Sequence, residues 1–145
     1  MPSLVGSEMC IRDSTITTLR ITPFVKLMDK IPNQELPKYY SIADVFVLPT
    51  LYDPCPKVIL EAMACEAPII ASKVSGIPEL IQDRYEGILI PSKNSNFLAD
   101  TIIDLLSHPD KAKWMGKNGR KAVEEVFTWD NVAKQTLEVY KEVVG

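Results

Sequence analysis

Two carboxylates, Asp53 and Glu61, stand eight positions apart in the stretch Asp-Pro-Cys-Pro-Lys-Val-Ile-Leu-Glu. Glu61 falls inside Val58-Ile59-Leu60-Glu61-Ala62-Met63-Ala64, a run that is apolar on both sides of it. A carboxylate in an apolar helix costs free energy unless something donates to it. The donor is another residue, water or a ligand. Lys57, one helical turn earlier, offers a surface pair contributing about 0.3 kcal/mol, and ligand hydroxyls offer another partner. Asp53 before Pro54 reads either as a turn residue or as an acceptor for ligand hydroxyls. Other chemistries find few residues. His108, before Pro109, is the single histidine, so a histidine-based centre within this chain is not expected. Cys10, Cys55 and Cys65 form no CxxC, which argues against a zinc site or a disulfide framework. Cys55 and Cys65 read as small apolar fillers, and Tyr39, Tyr40 and Trp129 as packing aromatics.

The carboxylates need a frame, and the chain alternates short apolar runs with helical patterns. Residues 22–28, 44–49, 68–72 and 86–91 read as strands. The run 44–49 is continuously apolar up to Pro49, as in a buried parallel strand. Between the strands, residues 33–42, 57–65 and 77–82 read as helices. Asn33 is the expected N-cap of the first, with Glu35 in its first turn, and Pro56 suits the first position of the second. Helices then take over at 96–107, 110–127 and 129–144. This alternation predicts βαβ units in a Rossmann-like parallel sheet flanked by helices, with a helical C-terminal cap.

With 145 residues, 46% apolar and 24% charged, the chain has the composition of one globular domain. A net charge of −3 gives no electrostatic reason to expect nucleic-acid binding. No apolar run approaches the ~20 residues that span a bilayer, so the expected localisation is cytoplasmic. The start is of a different kind. Leu4 to Ser14 resembles the in-frame translation of a transposase adapter used in DNA library preparation. Residues 1–14 are therefore expected to be a non-native, disordered tail, with the native domain over 15–145 and native sequence extending further upstream.

Several motifs occur in order. They are Asp53-x7-Glu61-Ala62-Met63-Ala64-Cys65, Ile69-Ile70-Ala71-Ser72, Ser75-Gly76-Ile77-Pro78-Glu79, Glu86-Gly87-Ile88-Leu89-Ile90-Pro91 and Phe127-Thr128-Trp129. Together they resemble the C-terminal, donor-binding domain of retaining glycosyltransferases of family 4, which have the GT-B fold. The likeness runs from about Lys26 to Val144. It implies a partial GT-B C-terminal domain that binds a UDP- or GDP-sugar, with no metal or other cofactor. It also implies an acceptor held by an N-terminal domain that this chain lacks. Peripheral membrane contact of the intact enzyme stays open. The alternative is a non-catalytic nucleotide-sugar-binding or interaction module of Rossmann-like fold.

A nucleotide sugar presents hexose, diphosphate and ribose in line, and residues 53–61 can meet them in that order. Asp53, Cys55 and Pro56 fall in the loop after a parallel strand, where open α/β sheets bind ligands, and are assigned to the donor sugar. The amides of Lys57 and Val58, at a helix start, suit phosphate. Glu61, roughly 6–8 Å along the helix, is assigned to the ribose hydroxyls. The chain departs from the family pattern in four places. Asp53 replaces the commoner glutamate, and Pro54-Cys55-Pro56-Lys57 replaces Gly-Phe-Gly-Leu, leaving only Cys55, Lys57 and Val58 as amide donors. Glu66 and Ser75 stand where the family has glycine. The family's Arg/Lys pair for the diphosphate has no equivalent here, so the fragment alone is expected to be inactive.

Overall fold

A computed structural model describes residues 5–144. It divides into a unit covering residues 1–32 and a unit covering 33–145. In the first, α1 spans Val5–Thr18. The disordered tail expected over 1–14 thus coincides with helix from Val5 onward, while its first four residues lie outside the described ones. α1 has no buried stripe over residues 11–18, where only Ile16 is half-covered. Its Thr15 and Thr17 hydroxyls donate back to the carbonyls of Ile11 and Asp13 at 2.8 and 2.9 Å. The strand expected over 22–28 is absent. Thr22–Phe24 forms a 3-10 turn instead. Pro23 removes a ladder donor there, Phe24 is 87% exposed, and no strand pairs with the segment among the described residues.

The second unit has three of the four expected strands, β1 (Phe46–Leu48), β2 (Ile69–Ser72) and β3 (Ile88–Ile90). They form one parallel sheet in the order β1-β2-β3, with Phe46 opposite Ile69 and Ile70 opposite Ile88. The α/β class and the parallel sheet therefore agree with the sequence. The connecting helices are α2 (Leu36–Ile42), α3 (Lys57–Ala64) and α4 (Ile77–Leu80), and the C-terminal part is helical, with α5 (Ser95–Ser107), α6 (Pro109–Glu125) and α7 (Trp129–Val144). Asn33 is not the cap of α2. That position falls to Glu35, whose side chain makes no capping bond, and Pro37 fixes the first turn. Pro56 is the cap of α3 rather than its first residue. α5 is capped by Asn94, which sequence reasoning does not single out; its carboxamide oxygen accepts from the Phe97 amide at 3.0 Å.

β2 is buried on both faces, and successive side chains point to opposite sides of a strand. Ile69 and Ala71 join Tyr40, Ile59, Met63, Ile77 and Ile81 in one cluster. Ile70 joins Ile88, Ile90, Leu105, Ala112 and Met115 in another. Burying each of these large aliphatic side chains contributes about 1.5–3 kcal/mol, so the central strand anchors both layers. α6 reaches both clusters and lies close against α3. A Cβ on Gly116 would collide with the Glu66 carbonyl, and one on Gly119 would touch the Met63 side chain at 3.4 Å. The end of α3 is closed by two backbone bonds, from Glu66 to the Met63 carbonyl and from Ala67 to the Ala62 carbonyl, both 3.0 Å. This Schellman arrangement requires a left-handed residue just past the helix, and Glu66 supplies it at φ 60°. The Arg120 guanidinium donates to the Ala64 carbonyl at the same helix end.

Candidate functional site

Parallel strands run side by side, so the loops after β1, β2 and β3 all leave from one edge of the sheet, where the residues in question lie. The loop 49–56 follows β1 and ends at the α3 cap. Asp53 is half-buried, and its Oδ1 accepts the Cys55 amide at 3.3 Å, a local Asx turn. The turn and ligand readings of Asp53 are thus not exclusive, because one carboxylate oxygen makes the turn and the other accepts from nothing among the described residues. The Cys55 amide is accordingly committed to Asp53 and is not the free donor the sequence reading supposes. Cys55 itself is exposed, which corrects its reading as an apolar filler, whereas Cys65 is half-buried against the core.

The loop is held from the neighbouring turn. The carbonyl of Pro54 fills the space where a Cβ on Gly76 would sit. Gly76 has φ −81°, which any residue adopts, so glycine is required there by space. Ser75 beside it takes φ 49°. The loops after β1 and β2 therefore interlock through backbone atoms.

At the start of α3, Pro56 is buried and extended, and its carbonyl accepts from the Ile59 amide at 3.0 Å. The amides of Lys57 and Val58 have no backbone or side-chain acceptor among the described residues. Four residues on, Glu61 is exposed, on the face of α3 opposite Ile59, Ala62 and Met63. The apolar run around it is thus not buried on every side. No ion pair joins Glu61 to Lys57 among the described residues. Its donor is the Tyr40 hydroxyl, 3.1 Å from Oε2. Tyr40 is buried and packs edge to face on Phe46, with ring centroids 5.5 Å apart. Burial, followed by the hydrogen bond to Glu61 and that carboxylate's charge, pushes the phenol pKa up to about 12. Sequence reasoning treats Tyr40 as packing alone. The packing is present, and the bond to a residue 21 positions away has no local signature.

A hollow of about 270 Å³ opens at the same edge, lined by Pro49, Leu51, Ser72, Ile90, Lys93 and Asn94 among others. None of Asp53, Cys55, Pro56, Lys57, Val58 or Glu61 lines it. A larger one, about 490 Å³, lies at the opposite edge beside Asp44 and Pro68, residues that precede the strands. Elsewhere, His108 joins α5 to α6 with Nδ1 2.8 Å from the Asp104 carbonyl, a cap. Trp129, read as packing, is 85% exposed. Among the described residues no three His, Cys, Asp or Glu side chains converge, and no helix is long and apolar enough to cross a membrane.

Comparison with known proteins identifies the family. Residues 13–122 match the family model of glycosyl transferases, group 1. The alpha-maltose-1-phosphate synthase of Mycolicibacterium smegmatis is 37% identical over 121 residues, covering 79% of this chain and 31% of that protein. An uncharacterized glycosyltransferase of Methanocaldococcus jannaschii is 40% identical over 106 residues, covering 73% and 27%. The chain thus spans less than a third of the length of either relative. Among solved structures, the sucrose-phosphate synthase of Thermosynechococcus elongatus superposes with a TM-score of 0.87 at 33% identity, over 95% of this chain and 35% of that one. HepE of Anabaena, solved in complex with UDP-glucose, superposes with a TM-score of 0.86 at 23% identity, over 94% and 37%. The fold is shared with both solved structures, and with a family match over most of its length the chain belongs to the glycosyl transferases group 1 family.

Proposed function

We propose that the chain is the donor-binding part of a glycosyltransferase that moves a sugar from a UDP- or GDP-sugar to an acceptor with retention at the anomeric carbon. The observation that carries this reading is the sequence of groups along 53–61. A loop carboxylate comes first, one of its oxygens without a partner among the described residues, then two amides at a helix start that also have none among them, then a carboxylate about 6 Å further along the axis. That order matches hexose, diphosphate and ribose. Asp53 accepts from hexose hydroxyls, beside Cys55 and Pro56. The amides of Lys57 and Val58, with the helix dipole, face the diphosphate. Glu61 accepts from the ribose hydroxyls. A fold relative solved with UDP-glucose supports the donor class.

In this reading no metal or cofactor takes part, and transfer proceeds in the cytoplasm. Front-face transfer needs the acceptor held against the anomeric carbon and positive charge on the leaving phosphate. Both are assigned to a further domain and a basic pair upstream, so the 145-residue chain alone transfers nothing. The test is titration of the wild-type chain and two variants, by NMR, with a nucleoside diphosphate and its nucleotide sugar. Glu61→Gln should weaken both ligands by about tenfold to a hundredfold, the loss of a charge-assisted hydrogen bond. Asp53→Asn should weaken the nucleotide sugar alone. Equal losses for both ligands in Asp53→Asn would move that residue off the hexose, and an unchanged Glu61→Gln would move Glu61 off the ribose.

A further inference from the structure

We infer that Tyr40 is a positioning residue for ribose recognition, holding one oxygen of Glu61 so that the other is presented to a ligand diol. The inference rests on the ribose role proposed for Glu61. Its geometry is independent of that role. The Tyr40 ring is 8% exposed and set edge-on against Phe46 of β1, so it is fixed by the core. Its hydroxyl reaches 3.1 Å from Oε2 of Glu61. Glu61 stands on the exposed face of α3, and its other oxygen accepts from nothing among the described residues.

A glutamate on a helix surface samples several rotamers, and freezing it on binding costs side-chain entropy. A hydroxyl mounted on an immobile ring meets part of that cost before the ligand arrives, which raises affinity through preorganisation. A bland account is also available. A buried phenol needs an acceptor, and Glu61 satisfies it whether or not any ligand binds. The two accounts differ in what removal of the hydroxyl does to ribose discrimination. Under the bland one, Tyr40→Phe alters stability and leaves the preference between ligands alone. Under positioning, the preference for a ligand with ribose hydroxyls shrinks.

The measurement is NMR titration of the 145-residue chain with UDP and with 2′,3′-dideoxy-UDP, repeated with the guanosine pair; the amide spectrum reports in the same tubes whether each variant is folded. Wild type should prefer the ribonucleotide of at least one base. Glu61→Gln should remove the preference. Tyr40→Phe should reduce it by about threefold to tenfold, the part of the rotamer cost the hydroxyl offsets. An unchanged preference in Tyr40→Phe, with Glu61→Gln still losing it, overturns the inference and leaves the ribose role of Glu61 standing. An unchanged preference in both variants, or no preference in wild type, overturns the ribose role and the inference with it. Should Tyr40→Phe not fold, Phe46→Leu tests the same idea by loosening the ring while keeping the hydroxyl, and it too should lower the preference; no change there overturns the inference.

Discussion

The carbonyl oxygen of Pro54 occupies the position that a side chain on Gly76 would need. Backbone meets backbone, so neither partner can turn aside as a side chain does. The loop carrying Asp53 is set against the turn that follows β2 without any side-chain bond between them.

Gly76→Ala must therefore displace the loop or the turn. Overpacking of this kind costs typically 1–3 kcal/mol. Chemical denaturation should show a loss in that range, and amide shifts should change across residues 52–57. An alanine variant of wild-type stability would show that the loop yields easily and that Gly76 does not seat it.

Glu66 and Ser75 both have left-handed backbones, at φ 60° and 49°. A left-handed residue with a Cβ costs roughly 1–2 kcal/mol, against about 0.5–1 kcal/mol of extra chain entropy lost when glycine folds. Glu66→Gly and Ser75→Gly should each stabilise by about 0.5–1 kcal/mol, read as a rise in denaturation midpoint. A fall in either midpoint would mean that the side chain contributes more than its backbone strain removes.

Alkaline stability should depend on Tyr40. Its folded pKa, pushed up to about 12, exceeds the ordinary 10.0 of the unfolded chain, chiefly through burial. The folded state holds the proton more tightly, so the stabilisation is fully present below pH 10 and is lost as pH rises through 12. Tyr40→Phe, with no proton to lose, should show a shallower decline between pH 10 and 12. Parallel curves for the two proteins would place the titration elsewhere.

Removal of residues 1–14 should leave the melting temperature unchanged, because the residues of α1 over 11–18 are exposed apart from half-covered Ile16. Calorimetric scans of both lengths test this. A drop of several degrees would give the segment a structural role.

Which parts were legible in the sequence follows from range. β1, β2 and β3 are continuous apolar runs flanked by turn residues, and their burial needs no partner to be foreseen. α5, α6 and α7 show through their helical patterns, whereas the Asn94 cap emerged only with the structure. The expected strand over 22–28 is broken by Pro23 and Lys26, and a strand also needs a neighbour to pair with, which is not written locally. Asp53 and Glu61 drew notice by type and position, but their assignment to a ligand, with that of Lys57 and Val58, came from the family resemblance. What spacing could not supply were the contacts between distant positions: Tyr40 with Glu61, Pro54 with Gly76, Gly116 with Glu66. Each joins backbone or side-chain atoms from separate elements, and each depends on the fold already being formed.

β1 pairs with β2 on one side only, and no described strand covers its other side. The Phe46 amide is bonded toward β2, donating to the Pro68 carbonyl at 2.7 Å, so by alternation it is the main-chain donor and acceptor of Val47 that face the side no described strand covers, with no lysine or proline in β1 to discourage an incoming strand. A solution of this chain at high concentration is for that reason a colloidal hazard. Turbidity should grow with concentration, and a single charged residue in place of Val47 should slow its onset.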